Sequence, residues 1–283
     1  MRLWPLFLAA CAHVSPAPTP PREPIALTYL GVAGWQLEAG GKTILTDPYF
    51  SRPADANQPL VPDAAAIAAH APAHSDLIVV GHSHFDHLLD AAEVAKRTGA
   101  ELIGSLSTMR VAIASGVPDT QLTGISGGED LARSGFSVRV IRSLHSMIGA
   151  ADTLGEIADA PQLPMPQSGY KAGGTFAYLV RIAGHEVLVL DTANFIESEL
   201  AGVHPDIAII APGLREQIRD YSCRLVHALG DPTIVLATHF DDWHHAPADQ
   251  PPGEDLAKFV AEIQHCSPHT RVIVPKHFDR MTF

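Results

Sequence analysis

The sequence predicts an α/β protein in which two β-sheets pack together with helices on the outside. Two observations carry this expectation. Each half of the chain opens on antiparallel strands and continues with alternating strands and helices, a pattern that calls for layered sheets covered by helices. The strands of the alternating stretches, such as "DLIVV" and "DIAIIAP", are short continuous apolar runs, which suit burial on both faces. Composition agrees: 283 residues, 46% of them hydrophobic, suffice for a large core, and only 18% charged residues argue against extended disorder.

The N-terminus reads "MRLWPLFLAACAHVSPAPTPPREP". Arg2 precedes an apolar stretch, Leu3 to Ala10, far too short to span a bilayer as a helix. It suits the core of a secretion signal, residues 1–10. "LAAC" resembles the lipobox of bacterial lipoproteins, in which the cysteine, here Cys11, becomes the lipidated first residue of the mature chain. Residues 11–24 then read as a tether, because five prolines in 15–24 exclude a helix or an inner strand. The expected location is the bacterial cell envelope, lipid-anchored and facing the periplasm. Residues 25–283 contain no linker and no short-period repeat, and are expected to form one domain.

Within that domain, two-residue alternation in "ALTYLG", "GWQLEAGG" and "KTILTD" predicts a β-meander over about 26–46, turning at "AGGK". "DPYFSRPADANQP" is a loop by its Pro, Asp and Asn content. Ala-rich 63–71 reads as a helix capped by Asp63. A buried strand at 75–81 leads to a helix at 88–99 that ends at Gly99. "ELIGS" reads as a strand, "STMRVAIASG" as a helix and 136–145 as a long strand. The second half repeats the order: a hairpin at 174–192, the strand "DIAIIAP", the helix "LREQIRDYSCRLVHALG", the strand "PTIVLATH", the helix "GEDLAKFVAEIQHC" and a last strand "RVIVP". Residues 146–174 break the pattern, since long irregular connections are often lids or binding loops. A short helix is expected near 152–158, and Tyr170 is a candidate substrate contact.

The charge of −12, with no run of Lys or Arg, excludes a nucleic-acid partner. The 16 histidines point elsewhere, because His is the commonest protein metal ligand. "GHSHFDHLLD" packs His82, His84, Asp86 and His87 into six positions just beyond a buried strand. Each buried imidazole needs a partner, and a bound cation would satisfy all of them together. His145, Asp191 and His239 also follow apolar β runs, at the carboxyl ends where α/β sheets place their sites. Cys223 and Cys266 have no CxxC spacing and no neighbouring ligand cluster; they read as packing residues that an oxidising compartment would allow to pair.

HxHxDH followed by His145, Asp191 and His239 resembles the metallo-β-lactamase superfamily of hydrolases, in motif order and spacing, over about 26–283. The resemblance implies a four-layer αβ/βα sandwich of two mixed β-sheets with helices on the outer faces. It implies one metal site from His82, His84 and His145, a second from Asp86, His87 and His239, and Asp191 bridging the two. "LTDP" is similar to the superfamily's early Asp motif, which would make Asp47 a partner that orients a ligand histidine. Asp rather than Cys at the bridging position resembles the broader hydrolases. The opening "TYLGVAGWQLEAGGKTILTDP" looks most like the branch with ascorbate-phosphate lactonase and N-acyl-phosphatidylethanolamine phospholipase D, departing from its "GH" with "GVAGW".

The implied cofactors are two divalent transition-metal ions, which this ligand set matches best to Zn²⁺, with Mn²⁺ and Fe²⁺ also compatible. The implied activity is hydrolysis of an ester, lactone, thioester or phosphodiester bond by a metal-activated hydroxide, with Asp86 both ligand and catalytic hydrogen-bond acceptor. His277, after the last strand, is a candidate substrate contact at the rim. The expected partners are a small-molecule or lipid-like substrate and the membrane, through Cys11. Two other readings compete: a non-catalytic metal- or ligand-binding envelope lipoprotein on the same fold, disfavoured by the intact ligand set, and a redox di-iron protein, which would prefer a carboxylate where His84 stands. Cys11→Ser is expected to leave the protein unlipidated and release it from the membrane fraction. Mass spectrometry that finds no acyl chain on the wild-type protein would overturn the anchor.

Overall fold

Successive side chains of a strand point to opposite faces, and that alternation builds four layers in the computed structural model, which describes residues 22–55, 57–148, 153–245 and 254–283. Residues 1–10, expected to be a signal, and Cys11 lie outside the described residues. The first sheet contains β1 (Ala26–Gly31), β2 (Gly34–Ala39), β3 (Lys42–Thr46), β4 (Leu77–Val79), β5 (Glu101–Gly104) and β6 (Leu122–Gly124). The second contains β7 (Asp130–Arg133), β8 (Phe136–Arg142), β9 (Phe176–Ile182), β10 (His185–Leu190), β11 (Ile207–Ile210), β12 (Ile234–Ala237) and β13 (Arg271–Ile273). The last strand, β14 (Arg280–Thr282), returns to the first sheet. The orders are β14-β1-β2-β3-β4-β5-β6 and β13-β12-β11-β10-β9-β8-β7. Both sheets are mixed: β1 to β3 and β7 to β10 pair antiparallel, while β3 to β6 and β10 to β13 pair parallel.

β4 shows how alternation sorts the core. Leu77 and Val79 face the inter-sheet layer with Val138, Tyr178 and Ile209, whereas Ile78 and Val80 face the helices of the first half. Those helices are α1 (Ala64–His70), α2 (Phe85–Leu88), α3 (Ala91–Thr98) and α4 (Leu106–Ala114). The outer face of the second sheet packs against α5 (Tyr221–Ala228) and α6 (Glu254–Cys266) through Leu225, Phe259 and Ile263. Asp63 caps α1 by accepting from the Ala65 and Ala66 amides, and Gly99 ends α3 in the left-handed conformation, both as the sequence leads one to expect. Among the described residues no helix is long and apolar enough to cross a membrane.

The structure corrects several element boundaries. The helix expected at 88–99 is two, α2 and α3; Asp90 between them gives its carboxylate to the Phe50 and Ser51 amides and the Ser51 hydroxyl. The long helix expected from Leu214 starts only at Tyr221, because Leu214 and Asp220 adopt positive φ and interrupt helical hydrogen bonding. The strand expected to run to His145 stops at Arg142, and β6, β7 and β14 lack enough apolar alternation to be read from sequence. Of the loop 146–174, residues 149–152 lie outside the description; the rest contains no α-helix, only single turns such as Gln167–Gly169. Cys223 and Cys266 are joined as a disulfide with Cα atoms 5.5 Å apart, tying α5 to α6.

Ile209 is fully buried between the sheets. Ile209→Ala is expected to lower unfolding free energy by about 2–5 kcal/mol in a urea titration. A loss well under ~1 kcal/mol would mean that this layer is not close-packed.

Candidate metal centre

The chain beyond β4 cannot continue as strand, because residues 82–87 must turn into α2. That turn gathers the side chains of His82, His84, Asp86 and His87 at the carboxyl ends of the parallel strands. Three further segments meet it there: His145 after β8, Asp191 directly after β10, and His239 two residues past β12. Gly81 is required at the junction, since a Cβ there would overlap the Asp191 carboxylate.

His82, His84 and His145 form one group. His82 Nε2 lies 3.0 Å from His84 Nδ1 and 3.2 Å from His145 Nε2. The second nitrogen of each ring faces an oxygen: His82 Nδ1 donates to Asp191 Oδ2 at 2.6 Å, His84 Nε2 to the Thr153 carbonyl at 2.9 Å, and His145 Nδ1 to the Ser146 carbonyl at 2.9 Å. A neutral imidazole has one N–H. Each of those protons is therefore committed outward, and three nitrogen lone pairs point at one another.

Asp86, His87 and His239 form the second group. Asp86 Oδ2 is 3.3 Å from His239 Nε2 and 3.6 Å from His87 Nε2, and the two ring nitrogens are 3.2 Å apart. Asp191 joins the groups: its Oδ2 touches His82 and also lies 3.4 Å from His87 Nδ1. Asp47 sits behind, accepting the Gly81 amide at 2.8 Å through Oδ1 and lying 3.4 Å from His87 Nδ1 through Oδ2. Each group of three, and His82 with His87 and Asp191, brings its ligand atoms within 4.8 Å of one another.

The electrostatics favour a cation. Burial, then the neighbouring imidazoles, hold His82 well below its ordinary range. Burial lowers His84 and His87 and takes His145 down to about 4. Burial, then the charge of Asp47, pushes Asp191 up to about 7. Burial opposes ionisation of Asp86, but His87 and His239 outweigh it and bring Asp86 below the usual carboxylate range. The Asp191 Oδ1 and His87 Nδ1 atoms are buried with no hydrogen-bond partner. Such orphaned atoms are costly, and divalent transition-metal ions suit this nitrogen-rich donor set with two carboxylates.

A clasp that sequence reasoning missed supports His239. His239 and Val32 both take positive φ, and the His239 amide donates to the Val32 carbonyl at 2.6 Å. Asp241 holds this pair: its Oδ1 accepts from the Val32 amide at 2.8 Å and the Tyr29 hydroxyl at 2.7 Å, and its Oδ2 from His277 Nε2 at 2.8 Å. Arg52 lies 3.7 Å away, and Trp35 Nε1 donates to the Thr238 hydroxyl at 3.0 Å. His277, expected at the rim, thus belongs to this clasp and does not line the cavity, because its ring is drawn to Asp241 and stacked on Tyr29. The signal for the clasp was present as "GVAGW" and "THFDD", but only the sheet pairing brings the two together.

The cavity above the centre holds about 760 Å³. Tyr170, expected as a substrate contact, lines it from the long loop, with Ile148 and Thr153 from the same loop and Leu214 and Trp243 from the second half.

Residues 26–239 match the family described as the Beta-lactamase superfamily domain. The chain is similar to a UPF0173 metal-dependent hydrolase of Methanopyrus kandleri, 28% identical over 254 residues, covering 88% of this chain and 95% of the relative. It is also similar to one of Caldivirga maquilingensis, 27% identical over 257 residues, covering 89% and 96%. Among solved structures it shares its fold with Igni18, a metallo hydrolase of Ignicoccus hospitalis, at a TM-score of 0.63, 18% identity and coverage of 92% and 99%. It shares it too with the diiron β-hydroxylase CmlA of Streptomyces venezuelae, at 0.61, 17% identity, and coverage of 93% of this chain and 54% of CmlA.

Asp241→Asn would remove the charge that the clasp closes on. It is expected to weaken metal affinity about 10–100-fold, as losses of a supporting shell do, read by titration against a competing chelator. Affinity within twofold of wild type would mean that His239 is placed without the clasp.

Proposed function

The chain belongs to the beta-lactamase superfamily and is a metal-dependent hydrolase of that family; on this premise we propose that it holds two divalent transition-metal ions and hydrolyses an ester, thioester, lactone or phosphodiester bond. The observation that carries this reading is the set of lone pairs that face one another with their protons committed elsewhere. His82, His84 and His145 would hold one ion, and Asp86, His87 and His239 the other. Asp191, touching a histidine of each group and left with one orphaned oxygen, would bridge them. The chemistry such ions would supply is Lewis acidity and a water whose pKa is lowered to about 7.

The protein's own groups do the remaining work. Thr153 and Ser146 fix the tautomers of His84 and His145 through their carbonyls, and Asp191 fixes that of His82. Asp86, ionised and facing the cavity, can accept a hydrogen bond from the attacking nucleophile and orient it. No observation favours the non-catalytic reading. Likeness to the diiron hydroxylase reaches the fold alone, and His84 stands where a di-iron centre would prefer a carboxylate.

Attachment to the envelope through Cys11 is part of the same proposal. The disulfide supports it, since such bonds persist in oxidising compartments. The first described residues are also suitably placed. Arg22 donates to the Gly184 carbonyl and the Glu23 amide to Ala183, at the turn that starts β10. Asp191 lies at the other end of that six-residue strand, about 20 Å away at ~3.3 Å per residue. A tether there would leave the cavity facing away from the membrane.

Asp191→Asn keeps the volume and removes the charge between the ions. It is expected to lose much of the bound metal and at least ~10²-fold in kcat/KM, whereas Asp47→Asn should cost about 10–100-fold. Elemental analysis and turnover of bis(p-nitrophenyl) phosphate and p-nitrophenyl acetate read both. If Asp191→Asn stays near wild type while Asp47→Asn is dead, the two carboxylates have the opposite roles.

A further inference from the structure

Resting on the hydrolytic reading, the walls of the cavity narrow the substrate. We propose that the protein takes an uncharged acyl ester or thioester whose acyl chain is apolar and about four to ten carbons long, a size that a cavity of about 760 Å³ accommodates.

Three features carry this. First, none of the described residues lining the cavity is Lys or Arg, and the adjoining Gly149, Ala150, Ala151 and Asp152 carry no cation by sequence. Beyond the metal ions, none of the described lining residues brings a positive charge to a remote carboxylate or phosphate, groups that sites normally grip with Arg or Lys. The polar side chains away from the centre, such as Asn57, Gln167 and Ser168, are neutral.

Second, much of the lining is apolar, with Phe85, Ile148, Tyr170, Ala193, Leu214 and Trp243. Leu214 and Trp243 are 39% and 40% exposed there. Met147 and Leu154, next in sequence to lining residues, are more than half exposed. Large apolar side chains left open around a cavity mark a surface that gains a partner.

Third, Leu214 stands at φ +63, a conformation a branched side chain adopts only at a cost. Gly213 before it offers an easier residue for such a turn. Strain kept at a cavity lip is a pointer to function, and here it sets a leucine in the wall.

The reaction balances simply: the acyl carbon–oxygen or carbon–sulfur bond breaks, a bond from that carbon to the oxygen of water forms, the alcohol or thiol leaves with one of the water's two protons, and the other proton passes to solvent as the acid departs as its anion. Loss of that anion from a wall without cations would be quick.

The test uses purified protein loaded with Zn²⁺ and five chromogenic probes: p-nitrophenyl acetate, butyrate, octanoate and monosuccinate, and bis(p-nitrophenyl) phosphate. Full burial is worth roughly threefold to fourfold per methylene, so kcat/KM should rise at least about 30-fold from acetate to octanoate. Monosuccinate should fall at least about tenfold below butyrate. Leu214→Lys should lower octanoate more than acetate and raise monosuccinate. Calorimetry with N-octylacetamide and metal-free protein should show binding that Trp243→Ala weakens. A flat chain-length series, monosuccinate equal to butyrate, or phosphodiester above every acyl ester would overturn the proposal and leave the hydrolase reading standing. No turnover of any probe, together with octylacetamide binding that Trp243→Ala weakens, would overturn the hydrolytic reading and support the apolar pocket.

Discussion

Three imidazole nitrogens that face each other without a proton between them are the constraint on which the rest of the structure depends. Lone pairs at 3.0 and 3.2 Å repel, and the protein forecloses the easy remedy of protonating one ring. Burial keeps His82 far below its normal range and His145 at about 4. The backbone carbonyls of Thr153 and Ser146 and the carboxylate of Asp191 take the only N–H each ring has. What remains is a hole in the hydrogen-bond accounting that a positive ion fills. Folding alone would not preserve such an arrangement, because three apolar side chains would pack there more favourably.

Holding that arrangement needs backbone that is not in its preferred state. His239 reaches the second group from positive φ, and so does Val32, a β-branched residue for which that region is a genuine outlier. Such residues cost roughly 1–3 kcal/mol each and persist only when their surroundings over-determine them. Here the surroundings are a buried carboxylate, Asp241, with three donors on its two oxygens. Burial opposes its ionisation, yet His277, Tyr29 and Arg52 together bring it below the usual range, so the clasp stays charged at neutral pH. The stability gained in the inter-sheet layer offsets the strain at its edge. Asp241 and Asp191 differ for the same reason: Asp241 is surrounded by donors and is satisfied, while Asp191 has a like charge nearby and an orphaned oxygen.

The sequence made most of the fold legible because its signals were local. Alternation in 26–46 and the apolar runs at 76–80 and 207–210 each specify a strand whatever lies around them. The seven residues that gather at the candidate centre were legible too, since density in 82–87 and the recurrence of a His or Asp after an apolar run are sequence properties. What stayed hidden was set by tertiary contact. β6, β7 and β14 are short edge-side strands defined by their partners rather than by pattern. The break before α5 lies at the positive φ of Leu214 and Asp220, which no pattern announces, and between them Arg215 binds Asp255 and Glu262 of α6. His277 read as a rim residue because sequence shows that it follows a strand; its attachment to Asp241 depends on two segments 36 residues apart.

The same distinction explains why the reaction class is easier to read than the substrate. The histidines and aspartates able to hold a metal ion are few, chemically distinctive and gathered beyond strand ends, so they mark the sequence strongly. The cavity wall is made of ordinary apolar residues drawn from five separate segments, and each alone reads as core. Their meaning comes from one collective property, the lack of any described Lys or Arg among them, which exists only after folding. A chain with a charge of −12 has many carboxylates to pair, and its basic residues are spent accordingly: Arg215 on Glu262, Arg133 on Glu101, Lys42 on Asp76, Arg110 on the Ile157 carbonyl and Glu156. The cations hold the scaffold, and the wall is left to apolar contact. Selectivity built this way is shallow, because one methylene more or less in an apolar pocket changes discrimination only about threefold to fourfold. On the proposed reading the site would favour a class of acyl chains over a single compound, with the chemistry set by the centre and the preference graded by the wall.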